Sequence, residues 1–153
     1  MRRDKTETVL RGLLRLQSMF GSDKKEAPQL PQPSTTFDWI LTIRSRLNSE
    51  DTPTPAYEQV EKALRSLTTE PEQLIILWQQ NPNNADAYWF IRCSVYARSK
   101  DNDIYLIEVA FPHNGGTEFW QKTVKYLTDA LPYFDAAYHH KIIDFTGFEK
   151  QEE

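Results

Sequence analysis

Three histidines, one cysteine and scattered carboxylates are what this 153-residue chain offers for conventional active-site chemistry. His139 and His140 are the sharpest pair, and with Asp144 or His113 they would supply nitrogen and oxygen ligands to a metal ion. Adjacent side chains diverge, however, to opposite faces of a strand or by about 100° around a helix, so a single ion cannot readily use both. Cys93 sits within an apolar alternation, which marks it as a small core residue rather than a nucleophile. Gly115-Gly116 ahead of Thr117 would bind an anion if a helix began there, but such a pair more often simply makes a turn. With five glycines in all there is no phosphate-binding loop, and no serine stands in a strand-turn-helix context. The expectation is a chain without catalytic residues, cofactor or bound metal.

Asp103 and Glu108 resemble the acidic pair with which restriction-type nucleases hold a divalent cation for phosphodiester hydrolysis. That motif continues with a lysine two residues after the second acid, and Ala110 occupies the position here. Glu108 is better read as one half of a cross-strand ion pair with Arg92. A second resemblance covers one helix start only: residues 81–89, from Asn81-Pro82 to Tyr88-Trp89, resemble the opening of a tetratricopeptide-type repeat. It departs from that pattern at Arg92, where close helix packing needs a small residue, and no second copy follows at the repeat period.

The elements that must position these groups are clearest between Tyr88 and Phe111. Trp89, Ile91, Cys93, Val95 and Ala97 alternate in a first run, and Tyr105, Ile107, Val109 and Phe111 alternate in a second. Such alternation predicts a β-hairpin, with its turn in residues 98–102. Only a register that sets odd positions opposite odd ones gathers both apolar sets on one side, and one such register pairs Arg92 with Glu108. The outer face then carries Tyr88, Phe90, Arg92, Tyr96, Arg98, Ile104, Leu106 and Glu108. That face is too apolar to be freely solvated, so another helix of the chain or a partner must cover it. Tyr88, Phe90, Arg92, Tyr96 and Arg98 are therefore candidate partner-binding residues.

Around the hairpin, the reading is of a small antiparallel sheet covered by helices, an α+β domain over residues 36–147. Residues 1–21 form a basic arm, in which Val9, Leu10, Leu13, Leu16 and Phe20 make the apolar stripe of an amphipathic helix and Arg11 and Arg15 lie off it. Arg11, Leu13, Arg15, Leu16 and Phe20 complete the set of candidate partner-binding residues. Residues 22–35, with three prolines, read as an extended linker, and residues 148–153 as a charged tail. Helices are expected over 37–47, over 55–67 with Thr54 as cap and Pro55 in the first turn, and from the Thr69-Glu70-Pro71-Glu72 capping box through Trp78. A further helix is expected from Thr117 to Leu131, ended by Pro132, then an ambiguous stretch at 133–138 and a short third strand over 141–145.

Length and a 39% hydrophobic content suit one folded domain with a real core. A lone cysteine, no apolar run long enough to span a bilayer and no secretory leader pattern point to a soluble cytoplasmic protein. Residues 1–25 carry a charge of +4 within a chain of −4, so a basic arm leads an acidic body of −8. These features suggest a non-catalytic protein-interaction factor: an adaptor, inhibitor, immunity-like or chaperone-like subunit, on compactness alone of microbial or phage type, that docks on a larger protein partner. The alternatives are a nucleic-acid-associated accessory protein using the arm and hairpin face, then an unrecognised hydrolase; oligomeric state is left open. If the arm is an independent docking element, deleting residues 1–21 should leave the melting temperature of the body nearly unchanged while abolishing partner binding. Thermal denaturation by circular dichroism beside a binding assay checks both halves.

Overall fold

Alternation of inward and outward side chains, repeated strand after strand, builds one large antiparallel sheet. The computed structural model describes residues 27–83, 88–98 and 103–152. In chain order the elements are β1 (Asp38–Arg44), β2 (Ser49–Pro53), α1 (Tyr57–Arg65) with a 3-10 turn at Ser66–Thr68, β3 (Leu74–Gln80), β4 (Phe90–Arg98), β5 (Asp103–His113), β6 (Gly116–Val124), α2 (Leu127–Tyr138) and β7 (Glu149–Lys150). The seven strands lie in the order β2-β1-β3-β4-β5-β6-β7, every pair antiparallel, so the fold is α+β and mostly sheet. No helix among the described residues is long and apolar enough to cross a membrane.

The β4–β5 pair stands at the middle of this sheet, with Cys93 opposite Ile107, Ile91 opposite Val109 and Arg92 opposite Glu108. Its inward residues, together with Trp39, Leu41, Ile75 and Leu77, meet Val60, Ala63, Leu64 and Leu67 near α1 and Leu127, Ala130, Phe134 and Ala137 of α2. Ile143, Phe145 and Phe148 close the same core. Both helices thus cover one face. On the other face a second, smaller cluster forms from Ile76, Phe90 and Ala110, flanked by Leu74, Trp78 and Phe119, and every one of these residues comes from a strand.

Several elements differ from the sequence expectation, for identifiable reasons. The helix expected over 37–47 is strand β1, and the one expected from Thr69 through Trp78 is a turn followed by strand β3. Trp39 to Ile43 and Leu74 to Trp78 are short runs apolar on both faces, and such runs carry no periodicity that separates strand from helix. The helix expected over 117–131 is strand β6, and α2 begins only at Leu127 and runs through Pro132. Pro132 and Thr128 are exposed, so the carbonyl that the proline leaves without a donor lies at the surface. The signal that could have placed β6 is Asn114-Gly115, whose φ values of 50° and 79° make the two-residue turn between His113 and Gly116. Residues 141–145 carry no strand, although Ile143 and Phe145 are buried. Helix α1 lies where expected, but its cap is Ala56, whose backbone N–H donates to Gln59 Oε1 at 2.8 Å.

The limits of the body also shift outward. Over residues 27–34 the proline-rich stretch lies against the domain instead of standing clear of it: Trp89 Nε1 donates to the Pro31 carbonyl at 2.9 Å, Ser34 N–H donates to Gln79 Oε1 at 2.9 Å, and Leu30 packs on the core. At the other end Phe148 is buried, Glu149 and Lys150 form β7, and Gln151 reaches Glu108, so the charged tail is part of the sheet. The arm residues Arg11, Leu13, Arg15, Leu16 and Phe20, and most of the expected hairpin turn, lie outside the described residues. Trp89 is 5% exposed and Tyr96 is 64% exposed. Trp89→Ala should therefore destabilise by about 3–5 kcal/mol through lost burial and a cavity, whereas Tyr96→Ala should change stability by less than about 1 kcal/mol; urea denaturation of both variants measures the difference.

Candidate functional site

The face of the sheet opposite the helices has no described element over it. Four aromatic rings cross it in a line: Trp78 to Tyr88 at 5.7 Å between centroids, Tyr88 to Phe90 at 5.8 Å, and Phe90 to Phe119 at 5.9 Å. The register explains the last contact. Ala110 of β5 is paired with Phe90 on one side and Phe119 on the other, and its small side chain leaves room for the two rings to meet above it. Phe90 is thereby buried while Tyr88, between Trp78 and Phe90, remains 39% exposed.

Arg92 lies beside these rings, its guanidinium carbon 5.2 Å from the Phe90 centroid and 5.8 Å from that of Phe119. Its Nε donates to Glu108 Oε1 at 2.7 Å and its Nη2 to Glu108 Oε2 at 3.2 Å, a two-pronged pair of the kind only a planar guanidinium makes. Glu108 Oε2 also accepts from Gln151 Nε2 at 2.8 Å, and the same amide is 2.8 Å from Gln121 Oε1. The sequence-predicted ion pair is thus present, with two partners from β6 and the C-terminal segment that the hairpin pattern could not show.

Toward β2 the face deepens into an open cavity of about 340 Å³. Ile76, Trp78, Tyr88 and Phe90 form its apolar side, and Thr42, Arg44, Ser49 and Asp51 its polar side, with Arg92 at the margin. A short relay orders the polar side: Trp78 Nε1 donates to Thr42 Oγ1 at 2.9 Å, and the Thr42 hydroxyl donates to Asp51 Oδ1 at 2.7 Å. Thr42 is buried, so this relay fixes the indole ring and the carboxylate relative to each other. No protein-family model matches the chain, and no match is found among curated proteins or solved structures. Function has to be read from the surface itself.

Of the hairpin residues expected on the outer face, Tyr88, Phe90 and Arg92 are together on it. Tyr96 is the extra residue where the register shifts between Val95 and Ala97, and beyond the shift Ala97 pairs with Ile104 and Arg98 with Asp103. One added residue reverses the alternation, so Arg98 is on the helix side, its Nε donating to Asp103 Oδ1 at 3.0 Å. The cavity residues Thr42, Arg44 and Trp78 escaped the sequence reading because β1 and β3 were expected to be helices, and Asp51 because no element was expected at β2.

The remaining chemical groups serve local structure. The two histidines separate as adjacency requires: His139 Nδ1 lies 3.0 Å from Asp135 Oδ1, while His140 stacks on Trp39 at 6.0 Å. Asp144 accepts from the Thr146 hydroxyl and backbone N–H, which hold its carboxyl below the usual range. Asp103 and Glu108 project to opposite faces of β5 and do not converge. Among the described residues no three His, Cys, Asp or Glu side chains gather to hold a metal ion. Burial, with Glu108 adding to it, pushes the Cys93 thiol up to about 12.

Breaking the central ion pair should reveal how the face is held. Glu108→Ala is expected to destabilise by about 2–3 kcal/mol, below the range for a fully buried pair because the Arg92 side chain keeps 28% exposure. The double variant Arg92→Met/Glu108→Leu should regain most of that loss, since it leaves no unpaired charge. Urea denaturation of the two variants and the wild type gives the comparison.

Proposed function

We propose that the chain is a non-catalytic protein-interaction factor, of the adaptor, inhibitor, immunity-like or chaperone-like kind, that docks on a larger protein through the uncovered sheet face with its basic N-terminal segment assisting. The aromatic line from Trp78 to Phe119 carries this reading. A sheet normally buries an apolar face against helices or another sheet, and here α1 and α2 both occupy the opposite side. Aromatic side chains and arginine are enriched at protein interfaces, the aromatics because they present large rigid area at little entropic cost and arginine because its planar fork of donors pairs and stacks. A reducing cytoplasmic setting accompanies the proposal, supported by the single cysteine.

Stacking of unpaired bases on the same rings is the second reading, favoured by Phe90, Tyr88 and Arg92 standing side by side. Charge weighs against it. Cross-strand neighbours share a face, so Arg44 and Arg92 are accompanied there by Asp38, Asp51, Glu108 and Glu149. A polyanion needs many phosphate contacts and meets net repulsion, whereas a protein needs only a few well-placed groups. Affinity purification of the tagged full chain from its native cells should return a stoichiometric protein that Tyr88→Ala removes without lowering the melting temperature by more than a few degrees. A salt-dependent shift of labelled DNA or RNA, with no co-purifying protein, would promote the second reading.

A further inference from the structure

Two apolar surfaces of this chain have no described counterpart. On the open face Ile76, Phe90 and Ala110, flanked by Leu74, Trp78 and Phe119, form a patch that no described element covers. In the N-terminal segment Val9, Leu10, Leu13, Leu16 and Phe20 form a stripe of matching character, and such a stripe is stable only when buried against something. Residues 9–20 lie outside the described residues. The helix side of the sheet offers that stripe no place, because α1, α2, Ile143, Phe145 and Phe148 already close the core there.

Charge selects the same pairing. Arg92 and Glu108 neutralise each other, which leaves Asp38, Asp51 and Glu149 against Arg44 on the open face. The face is acidic on balance, whereas residues 1–25 carry +4, so the two attract through their summed fields without needing particular ion pairs. The chain also stands at a suitable place. On the helix side Pro31 is fastened to Trp89, whose neighbour Tyr88 is on the open face, so the chain lies at an end of the sheet where it can pass from one side to the other. The six residues between Phe20 and Ala27 span up to about 20 Å when extended, twice the roughly 10 Å at which a second layer packs on a sheet.

We infer that in the free chain residues 9–20 lie as an amphipathic helix across the open face of their own sheet, with the apolar stripe on the patch between Trp78 and Phe119. Arg11 and Arg15 then point away from the contact, since they lie off the stripe. The inference deepens the docking reading and rests on it for one step, that a partner takes the face by displacing this segment. Belonging to the same chain, the segment meets the face at an effective concentration of about millimolar order. Even a shallow contact then shields the patch, and displacement hands the partner the aromatic line and the basic segment together.

The test uses the 15N-labelled full chain with Ser18→Cys, carrying a nitroxide on the new thiol; Cys93 is fully buried and escapes the reagent. Of the four tryptophans Trp78 alone is on the open face, while Trp39, Trp89 and Trp120 belong to the helix side. Their indole N–H resonances therefore report the two sides separately, that of Trp78 being assigned with Trp78→Phe. The nitroxide should cost the Trp78 signal more intensity than any of the other three. Adding Leu13→Asp should restore it, because the patch cannot take an unpaired carboxylate. Thr8→Asp, which adds the same charge on the side of Arg11 and Arg15, should leave the loss in place. An even loss over all four indoles, or a greater loss on the helix side, would overturn the inference. So would loss at Trp78 when a nitroxide-bearing unlabelled chain is mixed with the unmodified 15N chain, since a second copy would then be the occupant. If Tyr88→Ala removes a co-purified partner while the nitroxide shows no preference for Trp78, the docking face stands and the segment assignment alone fails.

Discussion

The Arg92–Glu108 pair is the constraint on which the open face depends. It lies across the two central strands, so the β4–β5 register that creates it also places Cys93, Ile91, Ile107 and Val109 in the core on the other side. A slip of either strand by one residue would turn the guanidinium or the carboxylate into that apolar interior, separate it from its partner and bring that strand's core side chains out, a costly arrangement that the pairing disfavours. Such a half-buried pair adds little net stability against a hydrophobic substitute. Its contribution here is to orientation: Arg92 is held beside Phe90 and Phe119, and Glu108 fastens Gln151 of the C-terminal segment.

The two faces of the sheet follow different physical rules. On the helix side the interior is dry and close-packed, and its aromatic rings meet through the edge-on contact of Trp39 with Trp89 at 5.9 Å. On the open side the apolar groups are shielded mainly by one another and by long polar side chains, as when Arg92 lies against two rings. Ile76 and Phe90 are therefore nearly inaccessible although no helix among the described residues covers them. What the open face presents to a neighbour is the remainder: Tyr88, part of Trp78, and the charged groups of β1 and β2.

The hairpin, its inward set and the Arg92–Glu108 pair were legible because one face of that region buries a strictly alternating apolar row. Helix α1 was legible for the equivalent reason at helical spacing. β1 and β3 were not, and the cause is the open face itself: Ile40, Ile76 and Trp78 on the outside make their strands apolar on both sides, which erases the alternation that identifies a strand. β6 carries Trp120 and Val124 inward but Phe119 outward, with the same effect. The apolar outer face is thus the feature that hid the strands forming it. The flip of Arg98 had no signature in the sequence, because the register shift at Tyr96 depends on how the strands pair and not on their composition.

The anchoring of residues 27–34 has a further consequence. Pro31 is fastened to the indole of Trp89 on the helix side of the sheet, so the chain that precedes it is tethered to the body at that point. On the proposed docking, a partner on the sheet face would meet the basic residues of positions 2–15 as an intramolecular event, at an effective concentration set by the length of chain between them and Pro31 and not by the amount of protein in solution. Two individually weak contacts would combine into one tighter association under that condition, and either could let go and rebind without the partner leaving.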